Sequence, residues 1–271
     1  MGQTRFTEHH YTRLYELIRQ RYGLQYGGDK KDILLGRAQR VMQRNGIEDW
    51  DYFVNALITG HPPALVQEFV NAITVNKTDF FRESQHFDYI MQKAHSILAN
   101  NPHIKASGEI RAWSAASSTG EEPYTLAMVL KETFGDQYNI KVLATDIDTR
   151  VLSEAQKGIY NRSLLSEVPR IFEAKYFFKS GEQCGIKQEI KDLVTFRSFN
   201  LMNDFPFRKK FDMIFCRNVM IYFDRETQAH LVGKHYHSLN TGGLLFTGHS
   251  EAMPNKALRF KYMVPAVYMR Y

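Results

Sequence analysis

The sequence predicts an α/β protein in which an all-helical N-terminal domain precedes an open, mostly parallel sheet that carries a small inserted β-subdomain. Three observations lead there. Apolar residues recur at helical spacing from Phe6 to about Leu98. After Asn101-Pro102, short β-branched runs alternate with helical segments. Between Gly158 and Asp192 that rhythm breaks into polar, glycine-containing sequence. The division implied is a helical domain and linker over 1–90 and a sheet domain over 91–271, with the insertion at about 158–192.

Taken in order, Tyr11, Leu14, Tyr15 and Ile18 fall at i, i+3, i+4 and i+7 behind Thr7, a side chain suited to cap a helix, with Phe6 and Tyr11 placed as a hydrophobic staple. A second helix is predicted from about Asp29 to Arg44, stopped by Asn45-Gly46. Trp50 to Ile58 and Pro63 to Ile73 read as two more, the latter with proline in its first turn. In the second half, Ile110 to Ala115, Ile140 to Thr145, Leu193 to Phe199, Phe211 to Cys216 and Leu244 to Thr247 have strand composition. Pro123 to Phe134 and Thr149 to Gln156 are helical. Phe260 to Tyr271 reads as a last, antiparallel strand at the sheet edge.

The chain has 271 residues, 44% of them hydrophobic, enough for one large domain and a smaller partner. No apolar stretch is long enough to span a bilayer, and the opening Met1-Gly2-Gln3-Thr4-Arg5-Phe6 lacks a signal-peptide core, so a soluble, intracellular protein is expected. Cys184 and Cys216 have no His or Cys at zinc-ligand spacing, which predicts free thiols. The net charge of +6 favours an acidic partner, and its excess is N-terminal: residues 1–47 hold nine Lys/Arg against four Asp/Glu. Lys30, Arg37, Arg40 and Arg44 share one stripe of the second helix, beside an apolar face of Leu34, Leu35, Ala38, Val41 and Met42.

In an open parallel sheet, ligands bind beyond the carboxyl ends of the strands. Here the first strand runs into Ser114-Ala115-Ala116-Ser117-Ser118-Thr119-Gly120-Glu121-Glu122-Pro123-Tyr124, where small residues let a ligand approach the backbone. Neither G-x-G-x-x-G nor G-x-x-x-x-G-K-[ST] is present, which argues against dinucleotide and nucleoside triphosphate sites. The second strand ends in Thr145-Asp146-Ile147-Asp148, and an acid there can accept from both hydroxyls of a ribose while repelling phosphates. A helix cap is the other role open to Asp146 and Asp148. Asn200 and Leu201 could present an amide and an apolar face to an adenine. Cys216-Arg217-Asn218-Val219-Met220-Ile221-Tyr222-Phe223-Asp224 puts polar groups where packing alone would not.

Together with Asn76-Lys77-Thr78-Asp79-Phe80-Phe81-Arg82, these motifs closely resemble the chemotaxis receptor glutamate methyltransferases, the CheR family, over nearly the whole chain. The resemblance implies a seven-stranded Rossmann-like S-adenosylmethionine-dependent methyltransferase sheet. It implies that Asn76, Thr78, Arg82, Glu121, Asp146, Asn200, Leu201, Arg217 and Asn218 bind S-adenosylmethionine and its product S-adenosylhomocysteine, and that no metal is needed. The expected reaction is esterification of glutamate side chains on bacterial chemoreceptors for chemotactic adaptation. Arg82 and Tyr222 are the expected catalytic side chains, one orienting the substrate carboxylate and the other shaping the pocket and donating a hydrogen bond.

Receptor methylation helices present rows of glutamates that the stripe of Lys30, Arg37, Arg40 and Arg44 could steer, a reading the resemblance supports; a solvated helix surface is the alternative. A monomer is expected, cytoplasmic and associated with receptor arrays, with no nucleic-acid partner and no direct membrane insertion. A nucleic-acid methyltransferase is the first rival, set aside because Arg217-Asn218-Val219-Met220 stands where many amino-group enzymes carry Asn/Asp-Pro-Pro-Tyr/Phe. A non-catalytic receptor-binding scaffold is the second. The short stretch Lys179 to Gly185 in the insertion favours action without a receptor-tail tether; which receptors and which glutamates are modified is not readable from the sequence.

Overall fold

In the computed structural model, which describes residues 6–251, 253 and 259–271, the first helices close a core of their own. The opening Met1 to Arg5, read above for targeting signals, lies outside the described residues. Helices α1 (Glu8–Tyr22), α2 (Lys31–Arg44), α3 (Trp50–Thr59) and α4 (Pro63–Ile73) bury Leu14, Ile18, Leu34, Ala38, Val41, Phe53, Leu57 and Phe69 against one another. Thr7 caps α1 reciprocally: its hydroxyl accepts from the His10 amide at 3.4 Å, and His10 Nδ1 accepts from the Thr7 amide at 3.0 Å. A 3₁₀ turn over Gly28–Lys30 delays α2 to Lys31. Gly23 ends α1 at φ +72°, and a Cβ there would lie 2.8 Å from Met202 Sδ, so the helix end seats directly on the second lobe.

The next helices, α5 (Gln85–Gln92), α6 (Ala94–Asn100) and α7 (Pro102–Ser107), belong to a different core, because Phe80, Phe81, Phe87, Ile90, Ile97 and Ile104 pack with the sheet. The chain then alternates through β1 (Glu109–Ala115), α8 (Glu121–Phe134), β2 (Asn139–Asp146) and α9 (Thr149–Lys157). An excursion follows through β3 (Ile159–Asn161), α10 (Arg170–Tyr176), β4 (Phe177–Ser180), β5 (Gln183–Ile186) and α11 (Gln188–Lys191). It returns through β6 (Val194–Ser198), β7 (Phe211–Cys216), α12 (Arg225–Ser238), β8 (Leu239–Thr247), β9 (Phe260–Val264) and β10 (Val267–Arg270).

The main sheet has seven strands in the order β6-β2-β1-β7-β8-β10-β9, parallel from β6 to β8. Strands β3, β5 and β4 form a separate antiparallel sheet. The end of the chain departs from expectation: Phe260 to Tyr271 is a hairpin, not one edge strand. β10 pairs antiparallel with β8, and β9 takes the edge. Pro265-Ala266 makes the turn, with Ala266 in the left-handed region at φ +61°, and no Gly or Asn marks it in the sequence. Both cysteines are buried free thiols.

The parallel strands run both ways from the β1–β7 pair, so the topological switch point, where such sheets open a crevice, lies beyond Ala115 and Cys216. The helical lobe closes over that point along a polar seam. Gln67 Nε2 donates to the Ile147 carbonyl at 3.0 Å, Asn71 Oδ1 accepts from the Thr149 amide at 3.2 Å, and Thr74 Oγ1 donates to Asp148 Oδ2 at 3.0 Å. On the far side, the Gln25 amide donates to the Tyr222 carbonyl at 3.0 Å and Asn200 Nδ2 to the Arg21 carbonyl at 2.7 Å.

Candidate active site

Between the lobes lies a cavity of about 230 Å³. The strand ends contribute Ala116, Ser118, Asp146, Asn200, Leu201, Arg217 and Asn218; Tyr222 follows from the next loop, and the interdomain linker adds Asn76, Thr78 and Arg82. Of the residues expected to bind the cofactor or to act in catalysis, Glu121 alone is not on the cavity wall. It is buried and holds Thr119 Oγ1 at 2.7 Å, while its neighbour Glu122, one helical step round the first turn of α8, faces the cavity.

Close backbone approach at the strand ends requires unusual dihedrals. Among the described residues, non-glycine positive φ occurs at Phe81, Glu83, Ala116, Ser118, Asn218 and Ala266, and all but the last are at or next to the cavity lining. Such conformations cost roughly 1–3 kcal/mol each and persist where the surroundings over-determine them. Gly120 goes further, to φ +98°: a Cβ there would meet Ala155 Cβ and the Tyr160 hydroxyl, each at 2.9 Å. That hydroxyl donates to the Thr119 carbonyl at 2.8 Å and fixes the loop from behind.

Asp146 is the acid in the cavity wall. One carboxylate oxygen accepts from the Ser118 amide at 2.8 Å and the other from the Asp148 amide at 2.9 Å, which aims the carboxylate and leaves lone pairs toward the cavity. Burial pushes its pKa up against those amides, with the nearby Asp148 adding to the rise. Asp148 does the capping, accepting from the Arg150 amide at 2.9 Å and from Asn76 Nδ2 at 2.8 Å. Of these two acids it is therefore Asp148 that caps α9.

Arg217 is a clamp. Its side chain is 1% exposed, lies over the rings of Phe87 and Phe215, and donates to Glu122 Oε2 at 2.9 Å, to Glu83 Oε2 at 3.1 Å and to the Arg82 carbonyl. Two carboxylates sharing one guanidinium are driven apart. Burial dominates at Glu122 and raises its pKa, whereas at Glu83 burial is outweighed by Arg217 and Asn218 and the net shift is downward. Glu83 also accepts from Asn218 Nδ2 at 3.2 Å, so it ties the linker to the end of β7. Beneath Tyr222, buried Glu251 collects the amides of Gly248 (2.6 Å), Met220 (2.7 Å), Asn218 (3.0 Å) and Ile221 (3.3 Å). Glu83, Glu122 and Glu251 escaped the sequence reading because Arg217, which joins the first two, and three of the four amides on the third are distant in the chain.

The wall from the helical lobe is different in kind. It presents Lys30 from the 3₁₀ turn and Ile33 and Arg37 from the start of α2, with Tyr26 and the linker's Val75 and Lys77. The cationic stripe is not uniform. Arg37 turns inward, donating to the Tyr26 hydroxyl at 2.6 Å and the Thr74 carbonyl at 3.2 Å. Arg44 lies 3.8 Å from Glu68, while Lys30 and Arg40 remain exposed.

Two family models divide the chain between them: "CheR methyltransferase, all-alpha domain" matches residues 9–74 and "CheR methyltransferase, SAM binding domain" residues 76–269. The chain is 37% identical over 270 residues to a chemotaxis protein methyltransferase of Borreliella burgdorferi, covering 97% of this chain and 95% of that protein. It is 38% identical over 265 residues to the chemotaxis protein methyltransferase of Escherichia coli (96% and 90%), and 36% identical over 256 residues to chemotaxis protein methyltransferase 2 of Pseudomonas aeruginosa (90% and 88%).

Proposed function

This chain belongs to the CheR methyltransferase family, and we propose that it transfers the methyl group of S-adenosylmethionine to glutamate side chains of chemoreceptors, forming methyl esters for chemotactic adaptation. The observation that supports this reading at the level of residues is the two-sided cavity, with Asp146 and Glu122 on the sheet side and Lys30, Arg37, Lys77 and Arg82 on the other.

The sheet side suits an adenosyl group. Asp146 offers acceptors to a ribose diol, and two carboxylates in a water-poor wall oppose phosphates, which S-adenosylmethionine lacks. Leu201 gives an apolar face. Asn200 already donates to the Arg21 carbonyl and accepts from the Met202 amide at 2.9 Å, so its part is to shape that end of the pocket. Asn76, Thr78 and Arg82 close it from the linker, and Arg217 and Asn218 hold its floor. When bound, S-adenosylmethionine supplies a methyl group on a sulfonium centre and leaves as neutral S-adenosylhomocysteine.

A glutamate carboxylate, with an ordinary pKa near 4.3, is already ionised at neutral pH, so the residues need not remove a proton. Their task is alignment and exclusion of water, worth several kcal/mol when the reacting atoms are held near contact. Arg82 orients one carboxylate oxygen; its Nη1 is itself steadied by the Lys77 carbonyl at 2.8 Å. Tyr222 shapes the methyl channel, its turn clamped below by Glu251 and its carbonyl tied to Gln25. No Lewis acid is required, and cofactor binding is expected to persist in EDTA.

The receptor's acidic helices approach over α2. Lys30 and Arg40 steer them, Arg37 frames the entrance, and Arg44 works at the rim beside Glu68. The β4–β5 turn is only Gly181-Glu182, which favours action without a receptor-tail tether. No helix among the described residues is long and apolar enough to cross a membrane. The reading places the chain as a monomer in the cytoplasm, at receptor arrays. Incubation with radiolabelled S-adenosylmethionine and receptor-bearing membranes tests the reading. Alkali-labile label on the receptor is expected, since carboxyl esters hydrolyse in mild base, and alkali-stable label or none would refute it.

A further inference from the structure

Beside the floor of the cavity two histidines meet at Glu83, whose Oε1 accepts from Asn218 Nδ2 at 3.2 Å and from the His249 amide at 3.4 Å. His86, on α5, is 1% exposed, and neither of its ring nitrogens has a hydrogen-bond partner among the described residues. An unsatisfied buried polar group costs about 1–3 kcal/mol, so something should occupy the space its nitrogens face. The His249 ring centroid lies 5.0 Å away, and Glu83 Oε2 lies 3.7 Å from His86 Nδ1, too long for a hydrogen bond. One donor atom from each of Glu83, His86 and His249 falls within 4.8 Å of the others. The geometry points to a binding site for a divalent transition ion of the zinc class, held by His86, His249 and Glu83 with an open position toward solvent.

The donor chemistry fits. Two imidazoles and a carboxylate are the set that zinc-class ions take at about 2.0–2.2 Å, with a fourth position left for water. Ligand atoms around such an ion sit roughly 3–3.5 Å apart, so the present spread asks for about an ångström of side-chain closure. His249 is exposed and can supply it. Phe215 and Phe246 fix the His86 ring, their centroids 6.4 and 5.6 Å away. The nearby positive charge of Arg217 does not forbid a cation, because it is shared between Glu83 and Glu122. His86 and His249 are far apart in the chain, so no spacing motif announces the pair.

Methyl transfer does not call on this ion, and its binding can be read without activity. Tag-free full-length protein, stripped with EDTA and dialysed, would be titrated with ZnCl₂ by calorimetry and with CoCl₂ by visible absorbance. One ion per chain is expected, with the intense d–d bands of a low-coordinate cobalt site. His249→Ala, a change at an exposed position, should weaken binding at least about tenfold, whereas His230→Ala on the exposed side of α12 should leave it unchanged. Equal binding by His249→Ala and wild type, or no stoichiometric binding by wild type, would overturn the site and make an enclosed water the partner of His86.

Discussion

The two walls of the cavity solve opposite problems. The sheet wall is built from strained backbone and buried carboxylates: Ser118, Asp146 and Asn218 are locked by hydrogen bonds that leave little freedom. The helical wall carries the long cationic side chains of Lys30 and Arg37; Lys30 is exposed, as is Arg40 beyond the lining, whose Nε donates to the Gly36 carbonyl at 3.2 Å. A small, invariant ligand rewards preorganisation, because ordering costs have already been met in folding. A macromolecular partner that presents rows of charge rewards steering, which tolerates mobile side chains.

If the walls are divided in this way, damage to the sheet wall should have the largest effect. Asp146→Ala removes the proposed ribose acceptor and strands the Ser118 and Asp148 amides. A loss of about 3 kcal/mol is expected, or more than 100-fold in cofactor affinity by calorimetry. Tyr222→Phe should leave that affinity near wild type and slow methyl transfer about tenfold or more. Equal effects on both quantities in both variants would show the roles to be misassigned.

Next in size is Glu251→Gln, which replaces one carboxylate oxygen by an NH2 group and so removes two of the four sites that accept amides beneath the Tyr222 turn. Transfer is expected to slow about tenfold, measured as kcat, with a smaller change in cofactor affinity. In a Tyr222→Phe background the Glu251 change should cost less than it does alone, since both act through one ring. Full additivity would mean that Glu251 only supports the fold.

On the helical wall the effects should be smaller and dependent on salt. Lys30→Glu with Arg40→Glu is expected to slow receptor methylation several-fold at low ionic strength and to flatten its salt dependence, because exposed charges are screened over about 8 Å at physiological salt. Arg37 is the wrong residue for this purpose, since its bonds to Tyr26 and Thr74 hold the lobe together. A wild-type rate across the salt series would reduce the stripe to a solvated surface. A free receptor-tail pentapeptide should show no measurable affinity.

Acid should weaken the sheet lobe through His235, which is fully buried against Trp113 and Phe205 and has its pKa pushed down to about 3, mainly by burial. Between pH 6.5 and about 3 the unfolded chain binds a proton there that the folded chain refuses, so stability falls as pH falls through that window. The slope from this one group approaches about 1.4 kcal/mol per pH unit. His235→Phe should flatten the acid limb of a urea-unfolding series, and an unchanged limb would show that His235 protonates without unfolding.

Periodicity made the helices and parallel strands legible, because amphipathic spacing and β-branched runs act locally. The final hairpin was not, since Pro265-Ala266 turns without glycine or asparagine. The cavity's strand-end residues could be read because the carboxyl ends of a parallel sheet are where ligands gather. Asn76, Thr78 and Arg82 came only through family resemblance; their sequence reads as a polar loop. Glu121 also came through family resemblance; the structure buries it behind the loop and turns Glu122 toward Ser114 and Arg217, contacts that adjacent positions in a first helical turn do not reveal in sequence. The inward turn of Arg37 depends on Tyr26 and Thr74, which no helical stripe can reveal.

The division of labour between the walls is tested most directly by calorimetric titration of S-adenosylhomocysteine into wild type, Asp146→Ala and the Lys30→Glu, Arg40→Glu double variant. The account predicts that affinity collapses in Asp146→Ala and is unchanged within about twofold in the double variant. A parallel loss in both, or retained affinity in Asp146→Ala, would contradict it.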